Sequence, residues 1–160
     1  MAIGRFASYW FMPHLLRKHS NEFDLTTDRI IGAAIEVHRE LGPGLLESAY
    51  EACLAEELSV RGVEYKRQVA LPVTYRGRVL DCGYRIDFLV GQVVVELKSV
   101  ETILPVHRAQ LLTYLRLKRL PCGLLLNFNS AFMKDGIIRL VREDPPFSAA
   151  PCLRDQKSNG

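Results

Sequence analysis

Between Tyr84 and Val100 the chain reads Tyr-Arg-Ile-Asp-Phe-Leu-Val-Gly-Gln-Val-Val-Val-Glu-Leu-Lys-Ser-Val, which sets two acids and a lysine inside strands otherwise composed for burial. An ionised side chain in such a setting costs on the order of several kcal/mol unless it is paired or bound to metal. Gly91-Gln92 fits a two-residue hairpin loop with glycine at the first central position, the type II′ preference. That loop pairs Val90 with Val93 and, counted back, sets Asp87 opposite Glu96. Opposed residues share a face with Cβ atoms about 5 Å apart. Two unit charges at that distance repel by roughly 3 kcal/mol at an effective dielectric of about 20. A divalent cation between them turns the repulsion into a binding site. Lys98 lies two residues past Glu96 and so on the same face, within reach of a water or an anionic oxygen beside such an ion. A surface hairpin with solvated charges also satisfies these residues, and the wider sequence has to decide.

The spacing of Asp87 from Glu96-Leu97-Lys98 resembles the signature of the PD-(D/E)XK nuclease superfamily. Upstream, Leu41-Gly42-Pro43-Gly44-Leu45-Leu46-Glu47-Ser48-Ala49-Tyr50-Glu51 resembles the motif that names the GxxExxY proteins, with Gly44, Glu47 and Tyr50 at the named positions. Downstream, His107-Arg108-Ala109-Gln110-Leu111-Leu112-Thr113-Tyr114 is similar to the Gln-x-x-x-Tyr helix of RecB-like nucleases, and Leu-Leu-Asn127-Phe128 to the strand ending that follows it in GxxExxY proteins. The resemblance runs from about Leu25 to Val141 with the motifs in the family's order. It implies an α/β (α+β) domain with an αβββαβ core, a mixed central sheet flanked by helices.

Length and composition suit that expectation. A chain of 160 residues with 48% apolar content provides for one core and one domain. The formal charge of +3 is mild but unevenly spread. Tyr65 to Leu80 holds Lys66, Arg67, Arg76 and Arg78 without an acid, and Thr102 to Lys134 holds Arg108, Arg116, Lys118, Arg119 and Lys134 without one. Clustered cations suit phosphate contacts, although such runs are as often solvated surface. Cys53, Cys82, Cys122 and Cys152 form no C-x-x-C pair, so neither a zinc knot nor a disulfide framework is signalled and a cytoplasmic setting is expected. The apolar stretch from Phe6 to Leu16 is interrupted by Pro13 and is too short to span a bilayer. Residues 1–22 read as an extension without fixed structure, or as a short amphipathic segment that docks on a partner. The tail from 143 to 160 is expected to be flexible.

Between these ends, Thr26 or Thr27 suits the N-cap of a helix carrying Ile30, Ala34, Val37 and Leu41 at helical spacing, stopped by Gly42-Pro43. A second helix from about Leu45 to Arg61 sets Glu47, Tyr50, Leu54 and Leu58 on one face, with Glu47 at the head of an apolar stripe. Glutamate there is also favoured by the helix dipole. Gln68 to Tyr75 reads as one strand with Pro72 at an edge or bulge, Arg76-Gly77 as a turn, and Val79 to Leu89 as the next strand. Pro105 opens a third helix reaching about Arg119, Cys122 to Phe128 is a buried strand, and Gly136 to Val141 adds an edge.

On the resemblance, Glu47, Asp87 and Glu96 surround the metal, the Leu97 carbonyl is a further ligand, and Lys98 orients the attacking water or steadies charge on the phosphate. All-oxygen ligation favours Mg²⁺ or Mn²⁺ over zinc. Gln110 and Tyr114 share a helix face with His107 one turn earlier, and with Tyr50 they support the site; Tyr114 also fits a core position. His107 and His38 show no paired-ligand spacing. Arg76, Arg78, Arg108 and Arg116 are the candidate phosphate contacts. The favoured expectation is a metal-dependent nuclease hydrolysing DNA or RNA. A non-catalytic nucleic-acid- or protein-binding module on the same fold, and an interaction protein in which the acids hold a structural ion, stay open, as does a homodimer or another protein partner.

Overall fold

The computed structural model describes residues 22–142. In chain order these form α1 (Glu22–Leu41), α2 (Glu47–Val60), β1 (Lys66–Ala70), β2 (Val73–Tyr75), β3 (Arg78–Leu80), β4 (Arg85–Val90), β5 (Val93–Lys98), α3 (Pro105–Lys118), β6 (Cys122–Asn127), a 3-10 turn at Met133–Gly136, and β7 (Ile137–Val141). The expectations for residues 1–21 and 143–160 lie outside the described residues.

Five strands make the central sheet in the order β1-β4-β5-β6-β7. All neighbours are antiparallel except β5 and β6, whose parallel pairing is made possible by the α3 crossover. Both are interior strands, and from Val93 to Leu97 and from Cys122 to Asn127 every residue is buried, as a strand covered on both faces requires. One core packs Ile30, Val37, Tyr50 and Leu54 of the first two helices on Phe88, Val95, Leu124 and Phe128. The other packs Leu111, Tyr114 and Leu115 of α3 on Val94 and Leu125. The mixed sheet flanked by helices agrees with the αβββαβ expectation.

Three local readings are corrected. Neither Thr26 nor Thr27 caps α1, which begins at Glu22; Thr27 lies inside it, buried, its hydroxyl donating to the Asp24 carbonyl at 2.8 Å. A threonine that bonds back to its own helix needs no terminus. The strand expected from Gln68 to Tyr75 is two strands, broken at Leu71-Pro72, where proline has no N–H for a ladder. That expected from Val79 to Leu89 is likewise two, separated by Asp81 to Tyr84, where the Asp81 carboxylate accepts the Gly83 N–H at 3.0 Å. As a result β2 and β3 leave the main sheet and pair only with each other.

The β4–β5 turn forms as read. Gly91 has φ +54° while Gln92 is not in the positive-φ region, the type II′ combination, and Val90 faces Val93. Gly91→Ala is expected to cost about 1–2 kcal/mol, since an added Cβ meets no neighbour but must occupy a left-handed backbone. Denaturant unfolding checks this as a lower midpoint with unchanged slope.

Candidate active site at the end of the central strands

The hairpin register runs Val90↔Val93, Leu89↔Val94, Phe88↔Val95 and stops one residue short of Asp87. On the other edge of β4 the pairs Arg67↔Phe88 and Val69↔Ile86 skip the position where Gln68 faces Asp87. Asp87 therefore sits at a gap in both ladders. Gln68 has φ +50°, a left-handed conformation rare for a residue with a side chain. Such a residue within a strand swings the following side chains to the other face. Phe88 packs under α1 and α2, whereas Ile86, two residues away on the same strand, packs under α3. Regular alternation puts both on one face. Asp87 stands at the inversion. Its Oδ2 accepts the Leu97 N–H at 2.8 Å, and its Oδ1 receives the Gln68 amide at 3.4 Å.

Glu96 is 3% exposed. Its Oε1 accepts from Lys98 Nζ at 2.7 Å and from Gln110 Nε2 at 3.3 Å, while its buried Oε2 has no hydrogen-bond partner. Lys98 also donates to the Leu97 carbonyl at 2.9 Å, and Gln110 to the Tyr114 hydroxyl at 2.7 Å. The predicted ligand carbonyl is thus occupied by the lysine in this arrangement.

Glu47 opens α2 and meets the strands because its loop is fastened there. Gly44 has φ +105°, which requires glycine. The Tyr50 hydroxyl donates to the Gly42 carbonyl at 2.6 Å and accepts the Leu45 N–H at 3.1 Å, and its ring stacks on Phe128 with centroids 4.6 Å apart. Ser99 Oγ donates to the Leu45 carbonyl at 2.7 Å, and the Ser99 backbone bonds the Glu47 carboxylate. Asn127 holds the same segment from β6, bonding both the N–H and the carbonyl of Val100 at 3.1 and 2.8 Å.

Three carboxylates against one ammonium leave excess negative charge in a partly dry place. Burial, then the Asp87 charge, raise the Glu96 pKa to about 7 despite Lys98. Burial raises Asp87 against the opposing Leu97 hydrogen bond, and raises Glu47, with Asp87 adding to the effect. For Lys98, burial disfavours the charged form, but the Glu96 hydrogen bond and the fields of all three acids outweigh it and raise its pKa.

The remaining expected residues fall elsewhere. His107 serves α3, its Nδ1 accepting the Leu104 N–H at 3.1 Å. Arg108 and Arg116 are exposed on α3, each two residues from Gln110 or Tyr114 and so roughly 160° around the helix from one of them. They do not enter the site. Arg76 and Arg78 lie on the β2–β3 ribbon. Gln68 and Ser99 were not anticipated. Ser99 carried a weak signal, a hydroxyl directly after Lys98, whereas nothing about a glutamine announces a left-handed backbone.

A family model for the PD-(D/E)XK nuclease superfamily matches residues 24–140. The chain belongs to this superfamily. It matches no curated protein and no solved structure. Members usually employ divalent metals, and the donors here suit a hard cation: all are oxygens, they repel one another, and Glu96 Oε2 is a buried acceptor without a donor. Among the described residues no three His, Cys, Asp or Glu side chains are gathered tightly enough to enclose an ion as they stand. Lys98 and the Leu97 N–H hold two of the acids meanwhile.

Two outcomes follow for stability. Glu96 is raised above its unfolded pKa of 4.5, so the folded state holds the proton after the unfolded state has lost it, and stability falls as pH rises from about 4.5 to about 7. In chelator, the Glu96 contribution to this loss is on the order of 3 kcal/mol across that window, and Glu96→Gln should flatten the slope in unfolding titrations, leaving the part due to Asp87 and Glu47. Gln68→Gly relieves the left-handed strain and should gain about 1 kcal/mol, whereas Gln68→Val should lose at least as much; thermal melts distinguish the two.

Proposed function

We propose that the protein is a metal-dependent nuclease that hydrolyses phosphodiester bonds of DNA or RNA, akin to RecB-like enzymes and to the GxxExxY proteins. The observation that carries this reading is the meeting of Glu47, Asp87, Glu96 and Lys98 at one end of the sheet, with one oxygen of a buried carboxylate unpartnered. Mg²⁺ or Mn²⁺ held by Glu47, Asp87, Glu96 and the Leu97 carbonyl would supply charge neutralisation on the phosphate and a more acidic water. Lys98 turns from Glu96 and Leu97 toward the attacking water or a phosphate oxygen, where a compact ammonium is suited to developing charge. Gln110, braced by Tyr114, keeps Glu96 oriented, and Gln68 does the same for Asp87. Tyr50 and Ser99 keep Glu47 in place.

A second reading, a non-catalytic nucleic-acid- or protein-binding module, is favoured by one observation: Lys98 already occupies Glu96 Oε1 and the Leu97 carbonyl. A cytoplasmic setting is supported by the free thiols of Cys53, Cys82 and Cys122. Among the described residues no helix is long and apolar enough to cross a membrane.

Purified protein with Mg²⁺ or Mn²⁺ and labelled single- and double-stranded DNA and RNA tests the proposal. Lys98→Ala should keep the fold, shown by circular dichroism, and lose cleavage by roughly a hundredfold or more. Lys98→Arg should recover only part of it, because a planar fork replaces a point charge. Absence of cleavage by wild type with either metal on all four substrates would leave the binding module as the function.

A further inference from the structure

The β2–β3 ribbon leaves the sheet between Ala70 and Arg85, which pair across its base with the Leu71 N–H donating to the Tyr84 carbonyl at 2.9 Å. It therefore springs from the end of β4 next to Asp87. A two-stranded ribbon with no sheet or core behind it is marginal in water, yet this one displays apolar side chains: Tyr75 is 59% and Val79 69% exposed. Tyr75 faces Arg78 across the ribbon, and the Arg76 guanidinium lies 5.4 Å from the Tyr75 ring centroid. The Arg76-Gly77 turn has positive φ at both residues, φ +48° and +76°, so a strained arginine is held at the tip. At the base, Tyr84 is 50% exposed and sets its ring edge-on to Tyr114, whose hydroxyl receives the Gln110 amide that also reaches Glu96. One aromatic ring thus stands at the tip and another at the base, against the Tyr114 that braces Gln110, with Arg76 and Arg78 on the ribbon and one acid, Asp81, whose carboxylate takes the Gly83 N–H.

From this we infer that the ribbon is a binding arm for an unpaired nucleic-acid strand, with Tyr75 and Tyr84 as stacking platforms for bases and Arg76 and Arg78 as phosphate contacts. Exposed rings offer faces that only unstacked bases can use, and the adjoining cations select a polyanion over a neutral peptide or a second copy of this basic ribbon. The inference rests on the nuclease reading for the identity of the polymer, and it assigns the substrate class as single strands or duplexes with unpaired ends. DNA and RNA share this chemistry.

The test is fluorescence anisotropy with the full chain, in chelator, using labelled 15-nucleotide DNA and RNA single strands, a blunt duplex and an abasic strand of the same length. Wild type should bind the base-bearing strands at least several-fold more tightly than the abasic strand and the duplex. Tyr75→Leu and Tyr84→Leu should each weaken base-bearing strands by roughly 5- to 100-fold and leave abasic binding unchanged, and Tyr75→Leu, on the exposed ribbon, should also leave the melting temperature unchanged. Equal affinity for base-bearing and abasic strands, or tyrosine variants that bind like wild type, overturns the inference even where cleavage persists. Tyrosine-dependent strand binding without cleavage upholds the arm and removes the nuclease. A tyrosine-dependent dimer in sedimentation, with no oligonucleotide bound, overturns it in favour of self-association.

Discussion

The site depends on a single interruption. At Asp87 the inner strand β4 gives up a ladder position on each side, toward β1 and toward β5, and the carboxylate takes over a backbone donor that a regular sheet leaves to a carbonyl. A regular β4 places residue 87 as one more side chain in a close-packed face, where an ion is costly. The gap moves it to the border between the two cores. The left-handed Gln68 accompanies that displacement, and local strain of this kind persists only where its surroundings over-determine it.

The other acids reach the same place by different means. Glu96 arrives through the hairpin register, two residues of β5 ahead of Lys98. Glu47 arrives from a helix on the opposite side, and its position rests on hydrogen bonds that no acid makes: Tyr50 to the loop backbone, Ser99 to Leu45, Asn127 to Val100. These side chains touch polypeptide and not the centre of charge. Their contribution is to bring three mutually repelling carboxylates together, with one half-buried lysine as the resident counter-charge. The pKa shifts toward protonation are the electrostatic signature of that arrangement.

Much of this was legible in the sequence because it followed periodicity. The type II′ turn, the alternation of β5, the buried run of β6 and the helical stripe from Ile30 to Val37 are all set by local pattern. The same arithmetic set Glu96 and Lys98 on one strand and Glu47 one turn from Tyr50, but the expected register of Asp87 opposite Glu96 is not formed, since the ladder ends at Phe88↔Val95 and Asp87 instead takes the Leu97 N–H. What escaped was whatever broke the period. Continuous strands were expected through Leu71-Pro72 and Asp81-Cys82-Gly83, because alternation on each side looks uninterrupted until the backbone donors are counted. The inversion at Gln68 leaves no compositional trace at all. Arg108 and Arg116 illustrate the converse: their charge was legible, but helical phase turns them from the face that carries Gln110 and Tyr114.

The pairing of Ala70 with Arg85 closes the main sheet whatever lies between them. Since loop-closure entropy grows only slowly with length, about 0.6 kcal/mol per doubling, the stretch from Pro72 to Gly83, between the core residue Leu71 and Tyr84, is free to be lengthened, shortened or replaced while the hairpin beneath it keeps its register. The chemistry and the means of grasping a polymer are thereby built as separable parts of one chain. Descendants of such a protein can diverge in what they hold by exchanging a dozen residues at one border of the sheet, and a ribbon transplanted between relatives should carry its preference with it.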